Sequence, residues 1–249
     1  MVIAPMPALP IYKGIPGPTL LAELLLNKYE YYLPFYRQVK MLNHMGMHVK
    51  DNTVNGWFAP AASLLTPLYD ALLEEILKSD YVQSDETTVP VVDHDKKKAV
   101  KEWLWGLRAV VERLVLFHYN NGSRGGKVIG EKAKGYKGYM QCDGYAGYGT
   151  AFKANPDVRL VACMAHNLME NAIRPIALGR KNYLFCGSHE GAGNMAVVCS
   201  LVATCKVQEV NPRDYLNDII EKMPRMKDAT REELVGLLPH KWKMQHCTD

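Results

Sequence analysis

The chain has 249 residues, of which 48% are hydrophobic and 22% are charged, a composition that excludes wholesale disorder and allows a sizeable buried core. The formal net charge of +4 is mildly basic, so it permits a nucleic-acid partner without requiring one. No apolar run approaches the length of a membrane span, and we therefore expect no membrane partner.

The first part of the chain predicts a proline-rich lead followed by helices. Proline recurs up to about Gly17, and leucines at spacings of three and four form an apolar helical face from Thr19 onward. A second helix is expected from Leu33 to Met45, where Gly46 supplies a C-terminal cap.

The third helix admits two interpretations. It is expected to begin at a cap, Asp51 or Asn52, and to run to about residue 78, kinked or divided at Pro60 and Pro67. A helix, a glycine turn and a capped polar helix outline a helix-turn-helix, whose second helix enters the DNA major groove. A helical hairpin that packs on the next domain is at least as good an interpretation, because the polar face is not strongly basic.

From Asp80 the pattern changes from helical to extended. Strands are expected at residues 81–92, 103–111, 114–119, 139–143 and 158–163, with helices at about 123–134 and 146–153 and after Asn167. Three antiparallel strands followed by alternating helices and strands is the order of a ribonuclease H-like fold. We predict an α/β protein in three parts: a helical region at 1–78, a ribonuclease H-like core with a mixed five-stranded sheet at 79–187, and C-terminal helices at 188–249.

Two aspartates of this core are expected to be neighbours. Asp85 lies inside the first strand, and Asp143 lies at the tip of the fourth, before a glycine-rich turn that lets another backbone approach closely. In a ribonuclease H-like sheet these two strands are adjacent. Two adjacent carboxylates are difficult to ionise together without a cation, and Mg²⁺ or Mn²⁺ prefer oxygen ligands. For Asp143 alone, an ordinary Asp-Gly turn would be the simpler explanation.

Glu170 is the third acidic candidate. Asn167 can cap a helix whose third residue is Glu170, which makes a purely structural capping-box role one interpretation. The other is that this helix returns a carboxylate to the two aspartates. Both interpretations can hold together.

Six cysteines occur without a Cys-x-x-Cys pair, and the opening residues do not resemble a signal peptide, so we expect reduced thiols in a cytoplasmic protein. Cys163-Met-Ala-His166 has half of a zinc-ligand spacing, but no second half follows. Cys163 is therefore interpreted as a buried strand residue.

Several segments resemble the insertion-sequence 66 family of bacterial transposases. They are Gln83-Ser-Asp-Glu-Thr-Thr-Val-Pro-Val91, Gln141-Cys-Asp-Gly-Tyr-Ala-Gly-Tyr148, the block from Asn167 to Phe185, Asn211-Pro-Arg-Asp-Tyr-Leu216 and Leu237-Leu-Pro-His-Lys-Trp242. The resemblance covers nearly the whole chain. It implies an Asp-Asp-Glu catalytic triad, carried here by Asp85, Asp143 and Glu170, which would bind two Mg²⁺ or Mn²⁺ ions and catalyse phosphoryl transfer on DNA.

The resemblance also implies partners. Positive side chains are expected near the metal pair to hold the phosphodiester, and the candidates are Arg174, Arg180 and Lys181. The DNA would comprise transposon ends and target, with a homo-oligomer or accessory transposition proteins as further partners in the bacterial nucleoid. Without the resemblance these three residues would be interpreted as an exposed basic loop.

The chain departs from the family in two places. It starts at the proline-rich lead, so we expect the family's upstream cysteine-rich zinc-binding part to be absent. Asn167 follows Ala165-His166 directly, where the family has a long, mostly helical insert. Besides an active transposase catalytic region, two hypotheses therefore stay open: an impaired remnant that acts only as a DNA-binding or assembly module, and a nuclease of the same fold.

Overall fold

The computed structural model describes residues 8–162 and 167–246, which form helices around one five-stranded sheet. The expectations for Cys163, His166 and Cys247 fall outside these residues. The elements in chain order are α1 (Pro18–Tyr29), α2 (Phe35–His44), α3 (Asp51–Leu77), β1 (Tyr81–Asp93), β2 (Lys98–Ala109), β3 (Leu114–Tyr119), α4 (Gly126–Lys132), β4 (Gly138–Cys142), α5 (Ala146–Phe152), β5 (Val158–Ala162), α6 (Leu168–Tyr183), α7 (His189–Val207), α8 (Pro212–Lys222), α9 (Arg231–Gly236) and α10 (Pro239–His246).

The sheet has the order β3-β2-β1-β4-β5. β1 pairs antiparallel with β2, and β2 with β3, whereas β1–β4 and β4–β5 are parallel. The α/β class, the mixed five-stranded sheet and the pairing of the first and fourth strands are confirmed. β2 starts earlier than predicted, at Lys98, because it stays paired with β1 as far as Asp93.

In the long helix α3, the expected division at Pro60 or Pro67 does not occur, and the cap is not the expected Asp51 or Asn52. The helix runs from Asp51 to Leu77 without a break, with Pro60 and Pro67 inside it, and its N-cap is Lys50. An internal proline costs a helix about 3 kcal/mol. α3 buries a series of fully covered side chains directly after Pro60 and on both sides of Pro67, and this packing outweighs the local cost; they are Ala61, Ala62, Leu65, Leu68, Ala71 and Leu72.

Helix α7 covers the free edge of the sheet. The hydroxyl oxygens of Ser200 and Thr204 accept hydrogen bonds from the β3 amides of Phe117 (2.8 Å) and Val115 (3.1 Å). Edge strands expose unpaired amides that invite aggregation, and here two hydroxyls one helical turn apart satisfy them. The buried side chains of α6 and of the C-terminal helices α7 to α10 belong to the same hydrophobic core as those of the sheet.

The turn after β4 depends on two glycines. A Cβ on Gly126 would lie 2.1 Å from the carbonyl oxygen of Gly147, so α4 and α5 approach closely only because residue 126 has no side chain. Gly144 has a φ of +83°, which reverses the chain directly after Asp143. These glycines place α5 beside the carboxyl end of β4.

Candidate functional site at the carboxyl ends of the central strands

Asp85 lies within β1 at the level where the neighbouring parallel strand β4 ends, and Asp143 directly follows β4. The register pairs Gln83 of β1 with Gln141 of β4. Two residues further along each chain come Asp85, still within β1, and Asp143, the first residue after β4. Side chains two apart on a strand share a face, so the register brings both aspartates to one face of the sheet.

Each aspartate is held by a neighbouring backbone amide. Asp85 Oδ1 accepts a hydrogen bond from the Glu86 amide at 2.8 Å, and Asp143 Oδ1 accepts one from the Tyr145 amide at 2.9 Å. Asp85 is half-buried and Asp143 is exposed. The second oxygen of each carboxylate has no hydrogen-bond donor among residues 8–162 and 167–246.

Glu170 lies in the first turn of α6 with its side chain exposed. The Asn167 side chain caps this helix by accepting from the Met169 amide at 2.9 Å. The reciprocal half of a capping box is not formed there, whereas Thr230 and Glu233 of α9 form both halves. Within the described residues Glu170 therefore has no capping bond to give up before it binds something else.

Three contacts attach the start of α6 to the sheet. The buried Gln83 side chain accepts from the Met169 amide at 3.2 Å and donates to Gln141 Oε1 at 3.1 Å. Arg108 of β2 donates to the Leu168 carbonyl at 2.8 Å. A Cβ on Gly106, which pairs with Asp85, would lie 2.2 Å from Met169 Cε. The first turn of α6, which carries Glu170, is therefore positioned by β1 and β2.

The electrostatics of Asp85 show that the three acids share one environment. The pKa of Asp85 is raised to about 6, chiefly by burial; the hydrogen bond from the Glu86 amide opposes the shift, and the charges of Glu86, Asp143 and Glu170 contribute to it. A carboxylate under this combined repulsion favours a proton or a cation nearby. Asp143 and Glu170 are thus close enough to Asp85 to affect its ionisation.

The three carboxylates fit a hard divalent cation by the chemistry of their donors, since oxygen ligands are what Mg²⁺ and Mn²⁺ prefer. However, no group of three or more His, Cys, Asp or Glu side chains in the described residues is already arranged to hold a metal ion. The donors are present and mutually repelled, and the carboxylates would have to converge as an ion binds.

The three basic residues that were predicted to contact DNA differ in their surroundings. Arg174 and Lys181 are exposed, and they follow Glu170 on nearly the same face of α6, since four and eleven residues correspond to about one and three turns. Arg180 points to the sheet instead, where its Nη1 donates to the Thr88 carbonyl and, at 3.0 Å, to the Thr88 hydroxyl. The exposed pair is available to a ligand.

Two residues near the site were missed by the sequence interpretation. Glu86 is buried on the face of the sheet opposite Asp85, and Arg124 of the β3–α4 loop donates to it from Nε (2.9 Å) and Nη2 (2.8 Å). The available signal was Asp85-Glu86 itself: consecutive strand residues point to opposite faces, so Glu86 needs a partner of its own.

The fold and these residues define an α/β domain with acidic side chains on β1 and at the point where the adjacent strand β4 ends. The chain belongs to the transposase IS66 family: the family model matches residues 13–168 and 167–194, and the IS66 C-terminal element matches residues 200–240. The two segments of the family match meet at residues 167 and 168, where the sequence predicts a missing insert.

Three proteins of Sinorhizobium fredii (strain NBRC 101917 / NGR234) are similar along nearly the whole chain. They are the uncharacterized protein y4qI (23% identity, 95% of this chain and 65% of that protein), the uncharacterized protein y4jD (23%, 96% and 69%) and the uncharacterized protein y4hP (21%, 96% and 64%). This chain spans about two thirds of their length. The y4qI alignment covers 351 positions against 249 residues here, so at least 102 positions have no counterpart in this chain.

No solved structure matches the chain. No helix in the described ranges is long and apolar enough to cross a membrane. The four cysteines that the structure describes, Cys142, Cys186, Cys199 and Cys205, are free thiols.

Proposed function

We propose that this chain is the catalytic region of a DNA transposase, which cleaves and joins strands at transposon ends by metal-dependent phosphoryl transfer. The observation that carries the proposal is the alignment of Asp85 with Asp143 across β1 and β4, with the charge of Glu170 acting on Asp85. Family membership supplies the context. The strand order and directions support a ribonuclease H-like topology for this core.

In this proposal Asp85, Asp143 and Glu170 are the ligands of two Mg²⁺ or Mn²⁺ ions. The ions would supply Lewis acidity that activates a water or a 3′-hydroxyl and stabilises the leaving oxygen. The protein contributes position: the Glu86 and Tyr145 amides orient the aspartates, and Gln83 and Arg108 fix the start of α6.

DNA is the proposed partner, with transposon ends and target as its two forms. Arg174 and Lys181 extend from Glu170 along one exposed face of α6, and charges in such a row can follow a phosphate backbone. Arg180, which is bound to Thr88, would contribute by charge and by fixing α6 to β1. Assembly with further copies or accessory transposition proteins, in the bacterial cytoplasm at the nucleoid, belongs to the same proposal.

A second function is favoured by two particular observations. No group of acidic side chains in the described residues is ready to hold a metal, and at least 102 positions of a similar protein are missing here. Both suit a DNA-binding or assembly module that has lost catalysis. Such a module would bind DNA mainly through phosphates, weakly and with a steep dependence on salt.

Cleavage of a supercoiled plasmid separates the two functions. The catalytic proposal expects nicking that requires Mg²⁺ or Mn²⁺ and falls by about 10³-fold or more in Asp143→Asn, because the amide removes the charge that holds the metal. Asp228→Asn is the matched control, since Asp228 is an exposed aspartate in the turn before α9. Salt-sensitive DNA binding without cleavage would support the module, and full activity of Asp143→Asn would refute the triad.

Glu170→Gln tests the third ligand separately. If Glu170 binds metal, the glutamine variant should lose cleavage as Asp143→Asn does. If Glu170 only stabilises the start of α6, the change should be nearly silent, because glutamine also serves at that position of a helix. The unformed capping box favours the first outcome.

A further inference from the structure

Arg124 is a fixed but partly exposed cation beside the carboxylate site. It lies in the loop between β3 and α4, and its Nε and Nη2 both donate to Glu86 Oε1. Its guanidinium carbon lies over two aromatic rings, 4.2 Å from the centre of Trp103 and 4.1 Å from the centre of Tyr145. Arginine held by a carboxylate and by two rings has lost most of its rotamer freedom before any ligand arrives.

Pairing with Glu86 explains only part of this arrangement. The Glu86 side chain is 1% exposed and needs a cation, and its second oxygen already accepts from the Tyr148 hydroxyl at 3.1 Å. The Arg124 side chain is nevertheless 40% exposed. Arg124 Nε and Nη2 donate to Glu86, whereas Arg124 Nη1 has no acceptor among the residues that the structure describes.

The exposed donors define what Arg124 can recognise. The rings of Trp103 and Tyr145 already pack against the guanidinium, so a stacked nucleotide base would have to displace one of them. The Nη1 edge of the guanidinium remains available, and its N–H groups can donate hydrogen bonds in the plane of the guanidinium. Such donors match the oxygens of a phosphate.

The groups that hold Arg124 also hold the two aspartates. Glu86 binds the guanidinium through its side chain and Asp85 Oδ1 through its amide. Tyr145 covers the guanidinium with its ring and binds Asp143 Oδ1 through its amide. The pKa of the Arg124 guanidinium is raised mainly by its hydrogen bonds to Glu86, and the charge of Asp143 adds a smaller contribution. The cation is therefore fixed on the Glu86 side of β1, on the face opposite Asp85, within electrostatic range of Asp143.

We propose that Arg124 binds a backbone phosphate of a DNA strand that passes beside Asp143 at the end of β4, and so positions the strand for the reaction. This inference rests on the proposed DNA-processing function. Trp103, Tyr145 and Glu86 act as positioning residues, because they hold the guanidinium rather than touch the phosphate.

The test measures DNA binding without cleavage. A short fluorescein-labelled DNA duplex is titrated with the full chain in EDTA over a series of salt concentrations, and anisotropy gives the affinity at each. Removing one phosphate contact should reduce the slope of log K against log[salt] by about 0.9. We expect this reduction, and about tenfold weaker binding at low salt, for Arg124→Gln. Arg124→Lys should keep the slope, because it keeps the charge.

Two controls separate phosphate binding from a structural effect. Arg113→Gln removes an exposed arginine that pairs with Glu209 in the β2–β3 turn, at the other end of β3, and it should leave the slope unchanged. Glu86→Gln combined with Arg124→Gln removes the buried charge together with its partner, so the fold loses no counter-ion. The double variant should still show the reduced slope.

The possible results have distinct meanings. A wild-type slope in both Arg124→Gln and the double variant would overturn the role of Arg124 while leaving DNA binding intact. Recovery of the wild-type slope in the double variant alone would show that Arg124 only neutralises Glu86, and would overturn it too. If the wild-type chain shows no salt-dependent DNA binding, the proposed function itself fails, and this inference with it.

Discussion

Lys28 in α1 is a partly buried cation whose charge should reduce the stability of the fold at neutral pH. Its Nζ lies 4.0 Å from the centre of the Phe35 ring and 5.1 Å from that of Phe58, and no carboxylate pairs with it in the described residues. Burial lowers the pKa of Lys28 from 10.5 to about 8, and the nearby thiols Cys186 and Cys199 oppose the shift. Replacing Lys28 by methionine keeps the length of the side chain and removes the charge.

The magnitude follows from linkage. Between pH 8 and pH 10.5 the unfolded chain holds a proton at Lys28 that the folded chain has released, so the free energy of unfolding rises with pH in this window. A difference of roughly 2.5 pKa units corresponds to about 3 kcal/mol at 1.36 kcal/mol per unit. Attraction between the ammonium group and the aromatic rings works against this cost, so about 3 kcal/mol is an upper limit.

Urea denaturation followed by tryptophan fluorescence measures the effect. Lys28→Met should exceed the wild type in free energy of unfolding at pH 7, and most of the difference should disappear by pH 10. Lys28 lowers the pKa of Cys186, but burial holds that pKa at about 11, so the thiol stays mostly protonated at both pH values and comparing the two chains isolates Lys28. A difference of the same size at both pH values would refute the argument.

Three further predictions concern the site. Gln83→Leu should lower the free energy of unfolding by about 0.5–1.5 kcal/mol in urea, because it removes the hydrogen bond from the Met169 amide to β1 and leaves that amide only Asn167 as an acceptor; wild-type stability would contradict this. Gly106→Ala should lower the free energy of unfolding by about 1–3 kcal/mol in the same assay, because the new methyl group would clash with Met169 Cε. Adding Met169→Val to that variant should recover part of the lost stability, and no recovery would count against this contact. Saturating Mn²⁺, at 100 times its Kd, should stabilise the fold by about 2.7 kcal/mol in thermal unfolding, and Asp143→Asn should remove the effect; an equal shift in that variant would place the ion elsewhere.

The sequence predicted the elements whose signal is local. The β-branched run at 81–92 identified β1, and the glycines after residue 143 marked the end of β4. Strand order then followed from the succession of elements, so the proximity of Asp85 and Asp143 could be expected without coordinates. The assignment of Asp85, Asp143 and Glu170 as metal ligands remains a prediction, and so does the division of the chain into three parts.

What could not be predicted depends on packing between distant parts of the chain. Pro60 and Pro67 suggested a divided helix, and only burial along α3 shows why the helix continues. The pairing of Glu86 with Arg124 joins residues 38 apart, and no spacing rule connects them. The Asn167 cap was visible in the sequence, but whether Glu170 completes a capping box depends on where its side chain lies.

The start of α6 shows how this core can form without the positions that similar proteins have before Asn167. The Met169 amide donates to the side chains of Asn167 and Gln83, and the Arg108 side chain donates to the Leu168 carbonyl. All of these partners lie on β1, on β2 or in the helix cap itself, so none belongs to the missing positions. The first turn of α6 is the part that would otherwise have unpaired amides. A chain shortened at this point can therefore still hold the first turn of α6 against the sheet.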